Sequence, residues 1–182
     1  MRNLATIVAL LAAMLVAQPT AWANSQNQGA DSATVTTVGP SQLIRQAGYV
    51  LSDAEAAYLD ADQPIGQQYS AALLQVMALG GPNAGLPDET AKPALEVVLR
   101  RLVALDPTAA PEAPPSLQPL RALAIEQRQA TQRAATAWLA ALEAGDPDWW
   151  QAGANDLALA NQALQNWQQE LASRYPPPAG RP

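Results

Sequence analysis

The stretch Glu143-Ala-Gly-Asp-Pro-Asp-Trp-Trp-Gln-Ala-Gly153 predicts a sharp corner between two long helices. Gly145 is typical of a helix end, because glycine readily adopts the left-handed conformation that closes one. Asp146-Pro147 is typical of a helix start, because Asp accepts a free backbone N–H and Pro lacks one. The same stretch places two adjacent indoles beside several carboxylates, a combination that could also bind a sugar or a cation.

Apolar side chains on both sides of this corner recur at alternating steps of three and four residues, the spacing of one helix face. The seam after the corner is Trp150, Gly153, Leu157, Ala160, Leu164, Trp167 and Leu171. The seam before it is Leu120, Ala124, Gln127, Thr131, Ala134, Trp138 and Ala141. In an antiparallel hairpin, positions whose numbers sum to about 291 would face each other, so that each Trp of the seams meets Ala or Gly.

Trp149 is one residue out of phase with its seam, so we expect its indole near the surface. Glu143 paired with Asp146 or Asp148 could hydrolyse a glycosidic bond. Helix capping explains Asp146 more simply, and the positive end of the helix dipole explains Asp148. We therefore interpret the stretch as a capped corner, in which Trp149 is the residue available to a ligand or partner.

Two further helices are predicted before this hairpin. Ser52-Asp-Ala-Glu55 matches a capping box and begins an apolar face at helical spacing. Pro64 interrupts that face, so we expect a helix that is kinked or broken near this proline. Pro93 suits the first turn of the next helix. The sequence thus predicts an all-α protein, an antiparallel up-down four-helix bundle with helices over about 53–79, 89–105, 117–144 and 147–174.

The ends of the chain differ from this helical region. Residues 1–23 are typical of an export signal, because Arg2 precedes an apolar run and small residues flank a cleavage point at Ala21-Trp22-Ala23. The apolar run is shorter than the about 20 residues that a membrane-spanning helix needs. We expect cleavage near Ala23 and a periplasmic or secreted chain without a membrane span. The remaining chain would comprise a flexible or irregular lead-in (24–48), the helical bundle (49–175) and a Pro-rich tail (176–182).

Composition removes several classes of function. The chain has no His and no Cys, which excludes disulfides, the usual general base, the cysteine nucleophile and the ordinary ligands of zinc, copper and iron–sulfur clusters. A formal net charge of −6 argues against nucleic acid and anionic membranes as partners. The acidic pairs Asp60/Asp62 and Asp146/Asp148 lack the ligand spacing of a calcium loop. We predict no metal and no cofactor.

Polar and aromatic side chains on the predicted helix faces are the remaining candidates for binding. Gln127 and Thr131 interrupt an apolar seam, where they could line a pocket between helices or pair with a polar neighbour or buried water. Tyr58 and Tyr69 fall near helical repeats of the first helix, where they could line a ligand groove or pack half-buried. With Trp149 they form the set of possible ligand or partner contacts.

Two phrases, Ala54-Glu-Ala-Ala-Tyr-Leu59 and Leu142-Glu-Ala-Gly-Asp146, resemble a loose class of exported bacterial proteins with Ala-rich helical bundles. The resemblance implies a bundle over residues 50–174 but no particular activity or site residue. We expect a non-enzymatic exported protein that binds an envelope or extracellular protein, or another envelope component, through a helical face. The alternatives are a small-ligand binder with a pocket between helices and a carboxylate-dependent hydrolase. An exposed apolar stripe on the first two predicted helices would favour the protein partner.

Overall fold

Five α-helices account for most of the chain that the computed structural model describes, which comprises residues 39–79, 87 and 89–176. The helices are α1 (Pro40–Gln46), α2 (Asp53–Ala78), α3 (Lys92–Ala104), α4 (Gln118–Ala144) and α5 (Pro147–Arg174). A 3-10 turn, Pro115–Leu117, leads into α4. These residues contain no strand, which confirms the predicted all-α class. The predicted export signal and residues 177–182 of the tail lie outside the described residues.

The helix α2 is continuous through Pro64, so of the two predicted alternatives, a kinked helix and a broken one, the break is excluded. Proline removes one backbone hydrogen bond. The rest of α2 stays helical because Tyr58 and Tyr69, on either side of the proline, are buried against other elements, and packing supplies most helix stability in proteins. The predicted capping box is confirmed: Ser52 N donates to Glu55 Oε2 at 2.9 Å, and Glu55 N donates to Ser52 Oγ at 3.3 Å.

The helix α1 lies within residues 24–48, where we expected an irregular lead-in, so that expectation is wrong for this part of the chain. Asp60 of α2 accepts hydrogen bonds from Ser41 N at 3.0 Å and from Ser41 Oγ at 2.6 Å. The first of these bonds satisfies a backbone N–H at the start of α1 that has no partner within its own helix. The acceptor comes from α2. Gly39 leaves room for the carboxylate, because a Cβ there would lie 2.7 Å from Asp60 Oδ1. Ile44 is buried and anchors α1 to the core.

The corner between α4 and α5 forms as the sequence predicts. Gly145 ends α4 with a φ of 64°, in the left-handed region that favours glycine. Asp146 caps α5 by accepting a hydrogen bond from Asp148 N at 2.9 Å. The chain therefore turns back on itself within two residues, and α4 and α5 make the most extensive helix contacts in the described part of the molecule.

Trp138 and Gly153 face each other across this hairpin, which confirms that part of the predicted pairing. Trp138 is fully buried, and a Cβ on Gly153 would lie 2.8 Å from its Cε2 atom. The indole Nε1 donates to the backbone oxygen of Trp150 at 3.1 Å. The large ring therefore fills the space beside the glycine.

Two clusters of buried side chains form the core. The first cluster gathers residues of α2, α3, α4 and α5, namely Tyr69, Ala72, Val76, Leu95, Leu99, Leu102, Ala134, Ala135, Trp138, Ala141 and Trp150. The second cluster comprises Ile44, Leu51, Tyr58, Leu59, Ala110, Ala113, Leu117, Leu120 and Leu171, with Trp167 only partly buried against it. Within the described chain, no helix has the length and apolar character needed to cross a membrane.

We expect Gly153→Leu to lower the free energy of unfolding by about 1 to 3 kcal/mol or more, because the new side chain overpacks against Trp138. Urea denaturation of the full chain measures the loss. Ala158→Leu, on an exposed position of α5, is the matched control and should change stability by less than about 0.5 kcal/mol. Equal stability of the two variants would show that Trp138 does not pack on Gly153.

Candidate functional site

The two adjacent indoles at the corner lie in different surroundings, which confirms the expected position of Trp149. Trp150 is buried with its ring centroid 5.8 Å from that of Trp138, whereas Trp149 is 51% exposed. The nearby acids have structural partners: Asp146 caps α5, and Glu143 accepts from Arg100 Nη2 at 3.4 Å. The corner is therefore a capped turn that presents one indole to solvent.

The two polar residues of the α4 seam bond to each other. Thr131 is buried, and its hydroxyl donates to the backbone oxygen of Gln127 at 2.9 Å. The Gln127 side-chain amide donates to the same hydroxyl at 3.4 Å. The buried Thr131 hydroxyl is thus satisfied by hydrogen bonds within its own helix.

The two tyrosines proposed as ligand contacts are both buried, but only one phenol has a partner. The Tyr69 hydroxyl donates to the backbone oxygen of Leu105 at 3.2 Å, and burial raises the pKa of Tyr69 to about 12. The Tyr58 side chain is 3% exposed, and its hydroxyl has no hydrogen-bond partner. Burial, and then the charge of Asp62, raise the pKa of Tyr58. Both phenols therefore keep their protons at neutral pH.

Arg128 of α4 is a buried cation whose charge lowers the pKa of both tyrosines. Only 2% of the residue is exposed, and its positive charge opposes the rise in pKa at Tyr58 and at Tyr69. The Arg128 Nη2 atom donates to Asp62 Oδ1 of α2 at 2.6 Å. A buried guanidinium needs such a partner, because taking a lone charge out of water costs several kcal/mol. The pair uses Nη2 and leaves Nη1 buried without a partner.

Several buried donors on α2 and α4 have no hydrogen-bond partner. Among the described residues, the buried side-chain nitrogen and oxygen atoms without a hydrogen-bond partner are Tyr58 OH, Gln63 Nε2, Arg121 Nε, Arg128 Nη1 and Trp150 Nε1. Three of them belong together: Tyr58 lies one helical turn before Asp62, the partner of Arg128, and it packs in one core cluster with Leu120, which precedes Arg121 in α4. We call Tyr58, Arg121 and Arg128 the donor cluster. It lies between α2 and α4, which contact each other far less than α4 and α5 do.

Sequence reasoning found Tyr58 but missed the two arginines. Arg121 and Arg128 are seven residues apart, which places both on one face of α4, beside the apolar seam. Asp62 lies four residues after Tyr58 and seven before Tyr69, so it shares their buried face of α2. A carboxylate at such a position requires a cation opposite it. The place of Asp62 on the buried face of α2 was therefore the sequence signal that could have indicated a buried cation such as Arg128.

The acidic pair Asp60/Asp62, considered for calcium, has its two carboxylates bonded to different helices. Asp60 binds Ser41, whereas Asp62 binds Arg128. Across the residues that the structure describes, no group of three acidic side chains is placed to hold a metal ion. The chemistry that the donor cluster offers is instead hydrogen-bond donation with positive charge, suited to an acceptor group.

We expect Tyr58→Phe to raise the free energy of unfolding by about 1 kcal/mol, because it removes a buried hydroxyl that has no partner. Tyr69→Phe is the matched comparison, and it should lower the free energy of unfolding by about 1 kcal/mol, since it breaks the bond to Leu105. Urea denaturation of the full chain in a simple buffer measures both. Equal losses would contradict the assignment, because they would mean that the Tyr58 hydroxyl is already satisfied.

The donor cluster must be interpreted from its own chemistry. No protein family model, no curated protein and no solved structure matches this chain. What the cluster can bind therefore follows from the donors, acceptors and charges that α2 and α4 bring together.

Proposed function

We propose that this protein is a non-enzymatic binding protein that holds a small polar ligand between α2 and α4, at the donor cluster. The observation that carries the proposal is the set of buried donors without acceptors, on Tyr58, Arg121 and Arg128. Of the functions predicted from the sequence, this is the alternative, the small-ligand binder. Its contacts differ from those expected, because Tyr58 remains among them while Gln127 and Thr131 bond to each other.

The energetic cost of the donor cluster supports a ligand. Nearly all buried polar groups in proteins have a hydrogen-bond partner, and each one that lacks a partner costs about 1 to 3 kcal/mol. An apolar residue at position 58 or 121 would avoid that cost. An acceptor from outside the chain would bond to the free donors of Tyr58, Arg121 and Arg128 and remove this cost.

The lack of reactive side chains supports binding over catalysis. The chain has no His and no Cys, and two of the three acids that could form a hydrolase pair have other partners. Glu143 bonds to Arg100, and Asp146 caps a helix. Arg128 and Asp62 are held by each other, which suits a fixed recognition site.

Two broader features belong to the same proposal. We propose that the long helices are arranged as an antiparallel up-down bundle, with the ligand in its interior; the short connection at the α4–α5 corner and the contacts of α2 with α3 and of α3 with α4 support this arrangement. We also propose that the protein acts outside the cytoplasm, in the periplasm or after secretion. The support is the sequence of residues 1–23, with its basic start, apolar run and small residues before Ala23.

Equilibrium dialysis against a small-molecule extract of the producing cells tests the ligand site without assuming the charge of the ligand. We expect mass spectrometry to find at least one small molecule enriched with the full chain and lost from Arg121→Gln, which removes one donor but leaves the Asp62–Arg128 pair. Arg101→Gln, at an exposed arginine of α3, is the matched control and should retain the molecule.

Two results would contradict the ligand site. Enrichment of no molecule would leave the donors with nothing to bind. Equal enrichment by Arg121→Gln and by the native chain would place the binding elsewhere. Circular dichroism of each variant establishes that loss of binding is not loss of fold.

A second candidate, our first expectation from the sequence, is an envelope protein partner bound through a helical face. Exposed apolar side chains on the first two long helices favour it. Val97 of α3 is 69% exposed, on the side of the helix away from its buried leucines, and Met77 of α2 and Val103 of α3 are partly exposed. The exposed indole of Trp149 offers a further apolar contact.

Retention of envelope proteins by the immobilised full chain tests this second candidate. We expect Val97→Glu to abolish retention of a specific protein, because a carboxylate in an apolar contact is costly to desolvate. Leu159→Glu, at a 57% exposed leucine of α5, is the matched control and should leave retention unchanged. Retention of the same proteins by both variants and by the native chain would exclude the α3 face as the binding surface.

A further inference from the structure

We infer that the donor cluster binds the carboxylate of a small organic acid that carries one negative charge; this inference depends on the proposed ligand site between α2 and α4. The candidate contacts are Arg128 Nη1, Arg121 Nε and the Tyr58 hydroxyl. The inference specifies the charge, the head group and the neighbouring surface of the ligand.

The charge balance of the site selects an anion. The charged side chains that act on the Tyr58 phenol are Asp62, Arg128 and Arg121, two cations and one anion. The site thus has one positive charge in excess, shared between the buried Arg128 and the partly buried Arg121, although the chain as a whole has a formal net charge of −6. A singly charged anion neutralises that excess, whereas a cation would add to it and a dianion would reverse it.

The kind of polar atoms left unpaired also selects an acceptor. The guanidinium groups of Arg121 and Arg128 can only donate hydrogen bonds. The Tyr58 phenol keeps its proton and can donate as well. A carboxylate provides two oxygens with several acceptor positions, and its bonds to guanidinium are stronger than those of a neutral acceptor. A neutral amide or alcohol would accept fewer bonds and leave the excess charge in place.

The apolar surroundings of Tyr58 indicate what the rest of the acid is like. Tyr58 belongs to the second core cluster, together with Leu117 and Leu120 at the start of α4. Both leucines are fully buried. A short hydrocarbon chain suits such surroundings, because its transfer from water onto apolar side chains is favourable. We therefore expect a short aliphatic monocarboxylate to bind better than a polar acid of the same size.

Thermal unfolding of the full chain with matched pairs of probes tests the inference. The pairs are acetate with acetamide and butyrate with butyramide, at equal ionic strength, with sodium chloride and inorganic phosphate as further arms. We expect butyrate to raise the unfolding temperature with saturation, acetate to do so more weakly, and both amides to leave it unchanged. Arg121→Gln should weaken butyrate binding by about tenfold or more, since it removes a charge-assisted bond. Arg101→Gln should not.

The remaining outcomes each overturn the inference. A shift with butyramide equal to that with butyrate would mean that charge is not recognised. A saturable shift with chloride or phosphate but with neither carboxylate would assign the cluster to an inorganic anion. No saturable shift in any arm would exclude small anions. Dialysis against the cell extract then distinguishes failure of the carboxylate inference from failure of the proposed ligand site. Enrichment of a neutral or cationic molecule that is lost in Arg121→Gln would overturn the carboxylate but retain the ligand site, whereas enrichment of nothing removes both.

Discussion

Trp138 occupies the space that Gly153 leaves by having no side chain, and this contact determines how α4 and α5 fit together. The indole is also bonded to the backbone oxygen of Trp150, so that it is held by two parts of α5. A helix turns by about 100° per residue, so fixing Trp138 against α5 also fixes which side of α4 faces α2. Arg128 lies on that side, and the hairpin thereby directs a cation into the junction between α2 and α4.

The buried ion pair of Asp62 and Arg128 then restricts the position of α2. Such a pair adds little net stability, because the cost of removing both charges from water offsets their attraction. It does penalise any rotation of α2 that would separate the charges, since a lone buried charge costs several kcal/mol. The pair explains how Arg128 can be buried, but it leaves Arg128 Nη1, Arg121 Nε and the Tyr58 hydroxyl without acceptors. Those atoms are what distinguishes a candidate site from an ordinary core contact.

Local patterns in the sequence predicted the parts of this structure that depend on neighbouring residues. The spacing of the seams predicted the hairpin. It also predicted that Trp150 is buried and Trp149 exposed, because helical periodicity is a local property. The helix α1 could not be predicted in this way, since Asp60, which accepts the hydrogen bonds at its start, belongs to another helix. Arg128 was missed for the same reason: its carboxylate partner is 66 positions away, and a single sequence does not show which distant charges meet.

The placement of the donor cluster links ligand binding to the stability of the fold. The cluster joins α2 to α4, whose mutual contact is small compared with that of the α4–α5 hairpin. An acid bound there would add hydrogen bonds across this weaker junction, and a ligand that binds only the folded chain stabilises it in proportion to the logarithm of its concentration. The unliganded protein would carry the cost of the unpaired donors, and the liganded protein would not. Residues that lower the stability of the empty protein are then the ones that recognise the ligand, as is common where binding and stability compete.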